Sequence, residues 1–220
     1  MHPTRAILLD ALGTLLYFEP PAPRLQAALR ERGIEVSLET ARAAMKAEIA
    51  YYRAHLHEGR DAASLAALRR AAAEAMRPVL QTDADLTDAL LAALRFRAYP
   101  DAAPALRELR SRGVRLVVVS NWDHSLHERL EETGLAPLVD GAVGSAEFGR
   151  AKPDPAIFAH ALAGLDPACA LHVGDSPVED GEGALAAGLR AVLVARDGPV
   201  PAPPGVTIVD SLAAVPGLLR

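Results

Sequence analysis

A chain of 220 residues, half of them hydrophobic, with a formal net charge of -5, can bury a sizeable core in one domain with a large insertion or in two modest domains. That balance excludes the disorder signature and the basic footprint of a nucleic-acid binder. No apolar run approaches the roughly 18 residues of a membrane span, and MHPTRAILLD at the start has no basic stretch leading into a long apolar one, so a soluble, cytoplasmic protein with no nucleic-acid or membrane partner is expected.

The first apolar run, Ala6 to Leu9, stops at Asp10 and resumes after Gly13-Thr14. From 17 to 97 only helical periodicity follows. Its helices are expected over Ala22 to Arg32 with Gly33 as stop, Leu38 to Leu56 capped by Ser37, Ala62 to Arg77 capped by Asp61, and Leu86 to Arg97. Beyond that, helical patterns starting at Asp101, Asp123, Asp154 and Pro177 alternate with apolar runs at Arg115 to Val119, Val139 to Val143, Ala170 to Val173 and Ala191 to Val194. A weak run closes the series at Val206 to Val209, and Gly113, Gly134, Gly164 and Gly188 end helices. Buried strands joined this way imply right-handed crossovers and an α/β fold, a doubly wound parallel sheet of Rossmann-like type. The core is expected over 1–16 plus 98–220, with 17–97 an all-helical insertion over the strand ends, placed to be a lid. Pro20, Pro21 and Pro23 would restrict the hinge to a few residues, and Asp197 to Gly205 reads as a stiff loop.

Four segments sit just after strands: Asp10 with Gly13-Thr14, then Ser120-Asn121, then EFGRAKPDPAIF with Lys152, then GDSPVED with Asp175 and Asp180. Each alone has an ordinary explanation as a cap, a turn or a solvated helix face. Together they converge on one sheet edge. Asp10, Asp175 and Asp180 gathered there would repel unless a cation neutralised them, and such oxygen ligands suit Mg²⁺. Lys152, one of only two lysines among 23 Lys and Arg residues, would complete an anion pocket in which Thr14, Ser120 and backbone N–H groups donate to phosphate. A carboxylate in line with that phosphorus is a plausible nucleophile.

The order D-x-x-G-T, SN, KPDPxIF and GDSxxxDxxGAxxAG over nearly the whole chain resembles the haloacid dehalogenase (HAD) superfamily of hydrolases. The helical insertion is similar to its C1-type cap, and SNWD with AKPDPAIF resembles the HAD-like hydrolase domain-containing, REG-2-like branch. The resemblance implies that Asp10 is the nucleophile of an aspartyl-phosphate and that Thr14 and Ser120 bind phosphoryl oxygens with help from Asn121. Lys152 would neutralise nucleophile and phosphoryl group together. Mg²⁺ would be held by Asp10, Asp175, Asp180 and the backbone carbonyl of Leu12, with Asp180 supporting either the metal or Lys152. The substrate implied is a small phosphorylated molecule, and no motif encodes an oligomeric state.

Leu12 departs from the pattern, because phosphatases of this superfamily usually place a second Asp there to protonate the leaving group. That help is worth about 10² to 10⁴ in rate. The sequence therefore leaves four readings: a Mg²⁺-dependent phosphohydrolase that is slow or specialised for acyl or aryl phosphates, a 2-haloacid dehalogenase, a phosphonate hydrolase using Lys46, or a non-catalytic phosphate-binding protein. His55 and His57 are candidates to replace the missing acid, against an ordinary solvated role. Trp122 is expected to pack against the neighbouring helix, Glu147 and Arg150 to form a surface pair, and His172 and Cys169 to be buried structurally.

Overall fold

The structure, a computed structural model, describes residues 3–196 and 198–219; Asp197, where the stiff loop is expected to begin, lies outside them. The chain divides into two compact units, Met1–Tyr17 with Ala98–Arg220, and Phe18–Arg97. In chain order the elements are β1 (Ala6–Leu9), β2 (Leu16–Phe18), α1 (Pro21–Arg30), α2 (Leu38–His55), α3 (Ala62–Glu74), α4 (Arg77–Leu80), α5 (Thr87–Ala93) and β3 (Phe96–Ala98). They continue with α6 (Ala102–Ser111), β4 (Arg115–Ser120), α7 (Leu126–Glu132), β5 (Gly141–Gly144), α8 (Ser145–Phe148), α9 (Pro155–Leu162) and β6 (Ala170–Gly174). After a π-helical turn, Pro177–Glu182, come α10 (Gly183–Ala186), β7 (Arg190–Val194) and β8 (Thr207–Val209).

Six strands form one sheet in the order β5-β4-β1-β6-β7-β8, and every neighbouring pair is parallel. Apolar side chains cover both faces of β1, where Ala6, Ile7, Leu8 and Leu9 are all buried; unbroken burial of this kind is what a central parallel strand requires. Leu8 lies between Val117 of β4 and His172 of β6. On that face Ile157, Phe158, Ala161 and Leu162 of α9 complete a core with Ala184 of α10. The order places β1 between β4 and β6, so the segments that follow these three strands emerge side by side.

The helical unit is built on α1, α2, α3 and α5, which contribute Leu25, Leu29, Met45, Ala72 and Leu90 to one buried cluster, joined by Met76 from between α3 and α4. Pro21 opens α1 at a position where its missing N–H costs nothing. The Ser37 hydroxyl accepts from Thr40 N–H at 3.0 Å to cap α2, and Asp61 with Ser64 forms a capping box on α3. One polar residue is enclosed: Glu48 of α2 is 4% exposed.

Two expectations here are corrected. The helix read over Ala62 to Arg77 ends at Glu74, and a separate α4 carries Pro78, which cannot continue a helix from its interior. The helix read to Arg97 ends at Ala93, and β3 pairs with β2 in a two-stranded ribbon where Phe18 and Phe96 stack at 5.0 Å. Among the described residues no helix is long and apolar enough to cross a membrane.

Candidate active site

The turn after β1 is closed by main-chain bonds from Gly13 N–H to Leu16 O at 2.7 Å and from Leu16 N–H to Ala11 O at 2.8 Å. Asp10 N–H extends the ladder to Val173 O at 2.8 Å, which fixes where the side chain leaves the sheet. Gly13 has φ +89°, and a Cβ there would stand 2.3 Å from Asp175 Oδ2. Only glycine satisfies both constraints. Outside the turn, the Arg196 guanidinium donates to Thr14 O at 2.7 Å and Gly13 O at 3.3 Å, grips Asp101 through two bonds of 3.0 and 3.1 Å, and lies 3.7 Å over the ring of Tyr99. Asp101 in turn accepts from Ser211 Oγ and Leu212 N–H.

At the strand ends, Asp10 Oδ1 accepts from Ser120 Oγ at 3.0 Å and from Lys152 Nζ at 2.6 Å. The ammonium also donates to Asp180 Oδ1 at 2.6 Å. Asn121 holds the lysine's main chain from both sides, donating through Nδ2 to Lys152 O at 3.0 Å while its Oδ1 accepts from Lys152 N–H at 2.7 Å. Past β6, Asp180 Oδ2 accepts from the N–H groups of Asp175 and Ser176 at 3.0 and 2.9 Å, and its Oδ1 accepts from His172 Nε2 at 2.8 Å. The π-helical turn lets Asp180 reach back this way. Gly181 N–H returns to Ser176 O at 3.1 Å, widening the first turn as π-bulges do at functional sites. Gly174 gives the carboxylate room, since a Cβ there would lie 2.1 Å from Asp180 Cγ.

Oxygens of Asp10, Asp175 and Asp180 lie within 4.8 Å of one another. One ammonium among three carboxylates cannot neutralise them all. Burial pulls the Lys152 pKa down, but the charges of Asp10 and Asp180 outweigh it and hold the ammonium above its ordinary range. Burial pushes Asp180 up, yet Lys152 and His172 more than reverse this and keep it well below the usual carboxylate range. Asp10 bears the cost: burial, helped by the charge of Asp180, raises its pKa despite Lys152. Burial and the charges of Asp10 and Asp180 push Asp175 up to about 7. Such a set of hard oxygen donors, two positive charges short of neutrality, fits a divalent cation.

The geometry bears on three expected roles. Asn121, expected to help orient phosphoryl oxygens, spends both ends of its carboxamide on Lys152. Thr14, expected to donate to phosphate, is fully buried, and no partner for its Oγ1 occurs among the described residues; its carbonyl, held by Arg196, serves the turn. Asp180, expected to support either the metal or Lys152, accepts four hydrogen bonds, one of them from Lys152, the full lone-pair complement of a carboxylate. Leu12 is 43% exposed, so an apolar side chain stands open two residues after Asp10. Glu147 and Arg150 do not pair: Glu147 bonds to His124 and His127, and Arg150 to Asp154. Trp122 is buried with its indole N–H on Ser125 Oγ at 3.1 Å. Sequence reasoning left two residues without a part in the site, His172 and Arg196. His172 interrupts an otherwise apolar strand, which was the available signal; Arg196 had none, being one of many arginines.

The sequence pattern of a hydrolase family, the haloacid dehalogenase-like hydrolases, matches residues 4–188. Haloacid dehalogenase-like hydrolase domain-containing protein 3 of Bos taurus is 45% identical over 107 residues, which is 48% of this chain and 42% of that protein. The phosphoserine phosphatase of Thermus thermophilus is 42% identical over 105 residues, 46% of this chain and 42% of that protein. The match thus spans well under two thirds of either relative. Among solved structures, a dehalogenase superposes with TM-score 0.68 at 26% identity, covering 99% of this chain and 98% of its own.

Proposed function

Because the chain belongs to the haloacid dehalogenase-like hydrolases, we propose that it is a Mg²⁺-dependent phosphohydrolase acting on a small phosphorylated molecule through an aspartyl-phosphate at Asp10. The observation that carries this reading is the division of labour within one carboxylate. Asp10 Oδ1 is held by Ser120 and Lys152, while Oδ2 has no hydrogen-bond partner among the described residues. A carboxylate held by one oxygen presents the other as a nucleophile of defined direction.

In the proposed reaction Oδ2 attacks phosphorus, a bond forms between them, and the bond from phosphorus to the leaving oxygen breaks. Lys152 and Ser120, already on Asp10, meet the negative charge of the phosphoryl oxygens. Water then attacks the aspartyl-phosphate at phosphorus, releasing inorganic phosphate and restoring Asp10. Asp10, Asp175 and the carbonyl of Leu12 would hold Mg²⁺ directly, with Asp180 behind them on Lys152 and on the main chain of Asp175. When bound, the ion supplies the positive charge that these carboxylates and a phosphate lack. Leu12 has no proton to give, so the leaving oxygen departs as its anion or is protonated by solvent. Substrates whose leaving group is already a weak base, such as acyl or aryl phosphates, fit this arrangement. The helical unit is proposed as the cap that selects among them.

The test is turnover of p-nitrophenyl phosphate and of a simple alkyl phosphate, with and without Mg²⁺, in wild type, Asp10→Asn and Leu12→Asp. Activity is expected only with metal, to vanish in Asp10→Asn, and to rise toward alkyl phosphates in Leu12→Asp by about 10² or more. Activity without metal, or activity surviving Asp10→Asn, refutes the reading. Leu12 also suits displacement of halide from carbon, which needs no proton, and the dehalogenase likeness favours that second reading. Release of chloride from 2-chloropropionate without metal would establish it instead.

A further inference from the structure

His172 sits in β6, fully buried, between Leu171 and Val173 in a strand otherwise made of Ala, Leu, Val and Gly. Its ring stands edge-on to Phe158 with centroids 5.0 Å apart. Nε2 meets Asp180 Oδ1 at 2.8 Å, on the same oxygen that receives Lys152 Nζ at 2.6 Å. Nδ1 is buried and has no partner among the described residues. An aliphatic residue would pack in this strand without leaving a polar atom unpaired, so core packing does not account for an imidazole here.

The ring's proton can be placed from these contacts. With the proton on Nδ1, a buried donor would lack an acceptor and the Nε2 lone pair would oppose a carboxylate oxygen. With the proton on Nε2, the ring donates to Asp180 and only an acceptor goes unpaired. The second arrangement is the one the surroundings allow.

We propose that His172 is a positioning residue: donating from Nε2, it holds Asp180 Oδ1 in place and so sets where the Lys152 ammonium stands against Asp10. Asp180 would otherwise be fixed only through Oδ2, by the two main-chain N–H groups, with Oδ1 free to follow the lysine. Two donors on Oδ1 define its position, and the ammonium between Asp180 and Asp10 inherits that definition. The proposal rests on the reading of Asp10 as nucleophile, but its central geometric claim does not need turnover to be tested.

The experiment combines ring ¹⁵N NMR of the wild-type protein with His172→Gln, His172→Asn and His172→Leu. The Gln amide nitrogen reaches about as far as Nε2, whereas Asn is too short. The NMR pattern expected for His172 is the Nε2–H tautomer. With p-nitrophenyl phosphate and Mg²⁺, His172→Leu is expected to lower kcat about 10- to 100-fold, the range seen when an outer partner of a site is removed, with KM within about twofold. His172→Gln should recover most of the loss and His172→Asn little. An Nδ1–H tautomer, an unchanged kcat in His172→Leu, or equal losses in Gln and Asn would overturn the proposal. If His172→Leu does not fold, the Gln to Asn comparison decides. If the wild type hydrolyses no phosphate ester, the functional reading fails while the tautomer still decides the role of His172.

Discussion

Glu48 provides a test of the helical unit by itself. Its carboxyl lies within α2 at 4% exposure, with no ion pair or hydrogen bond to it among the described residues, and burial pushes its pKa from 4.5 to about 7. The native state therefore binds this proton more tightly than the unfolded chain does. Below about pH 4.5 both states are protonated and nothing is lost. Between pH 4.5 and 7 the unfolded state ionises first, so stability falls as pH rises, and above 7 the loss is constant. At 1.36 kcal/mol per pH unit the full loss is about 3 kcal/mol, an upper value because water entry and side-chain relaxation soften it. Glu48→Gln keeps the shape and removes the charge. Urea unfolding followed by far-UV circular dichroism should show the variant about 2 to 3 kcal/mol more stable than wild type at pH 8, and within about 1 kcal/mol of it at pH 5. Other titrating carboxyls, Asp10 and Asp175 included, are shared by both proteins and cancel in the difference. A gain of equal size at the two pH values would show that Glu48 is not held neutral by burial, and the reasoning would fail.

Gly13→Ala should lower thermal stability and weaken Mg²⁺ binding together, because the new Cβ meets both a positive φ and the Asp175 carboxylate; calorimetric titration with unchanged Mg²⁺ affinity would contradict this. Asn121→Ala removes two bonds to the Lys152 main chain and is expected to reduce kcat on p-nitrophenyl phosphate about tenfold or more without abolishing folding, whereas loss confined to KM would return Asn121 to a substrate-contacting role. Arg196→Lys and Asp101→Asn should be non-additive in unfolding free energy by about 1 to 2 kcal/mol, as expected for partners in one network; strict additivity in the double-mutant cycle would dissolve the clamp.

The residues that could be read in advance are those whose type conflicts with their surroundings. Asp10 ends a fully apolar strand, Lys152 is one of two lysines in a chain whose other basic side chains of this kind are all arginine, and Asp175 with Asp180 follows another buried strand. Strand order makes them neighbours; alternating strands and helices imply a parallel sheet, while the order itself comes from the fold. What stayed hidden depends on side-chain direction. Nothing in SN says that the asparagine turns to a lysine backbone 31 residues away instead of toward a ligand. The inward turn of Thr14 is equally silent, since a D-x-x-G-T string does not state which way a hydroxyl points. The ribbon of β2 and β3 escaped because three-residue strands carry too little periodicity to compete with a helical pattern beside them. His172 was visible as an oddity and its burial was expected, but only the coordinates show which carboxylate oxygen it meets.

Arg196 carries a last consequence. The family pattern ends at residue 188, yet the guanidinium that holds the carbonyls of Gly13 and Thr14 comes eight residues later, and its own anchor, Asp101, is tied to Ser211 and Leu212. A version of this protein clipped after β7 would retain every signature by which its family is known. It would also have lost the brace on the turn that follows its nucleophile, so inheritance of the motifs and inheritance of a working site are separable in this chain.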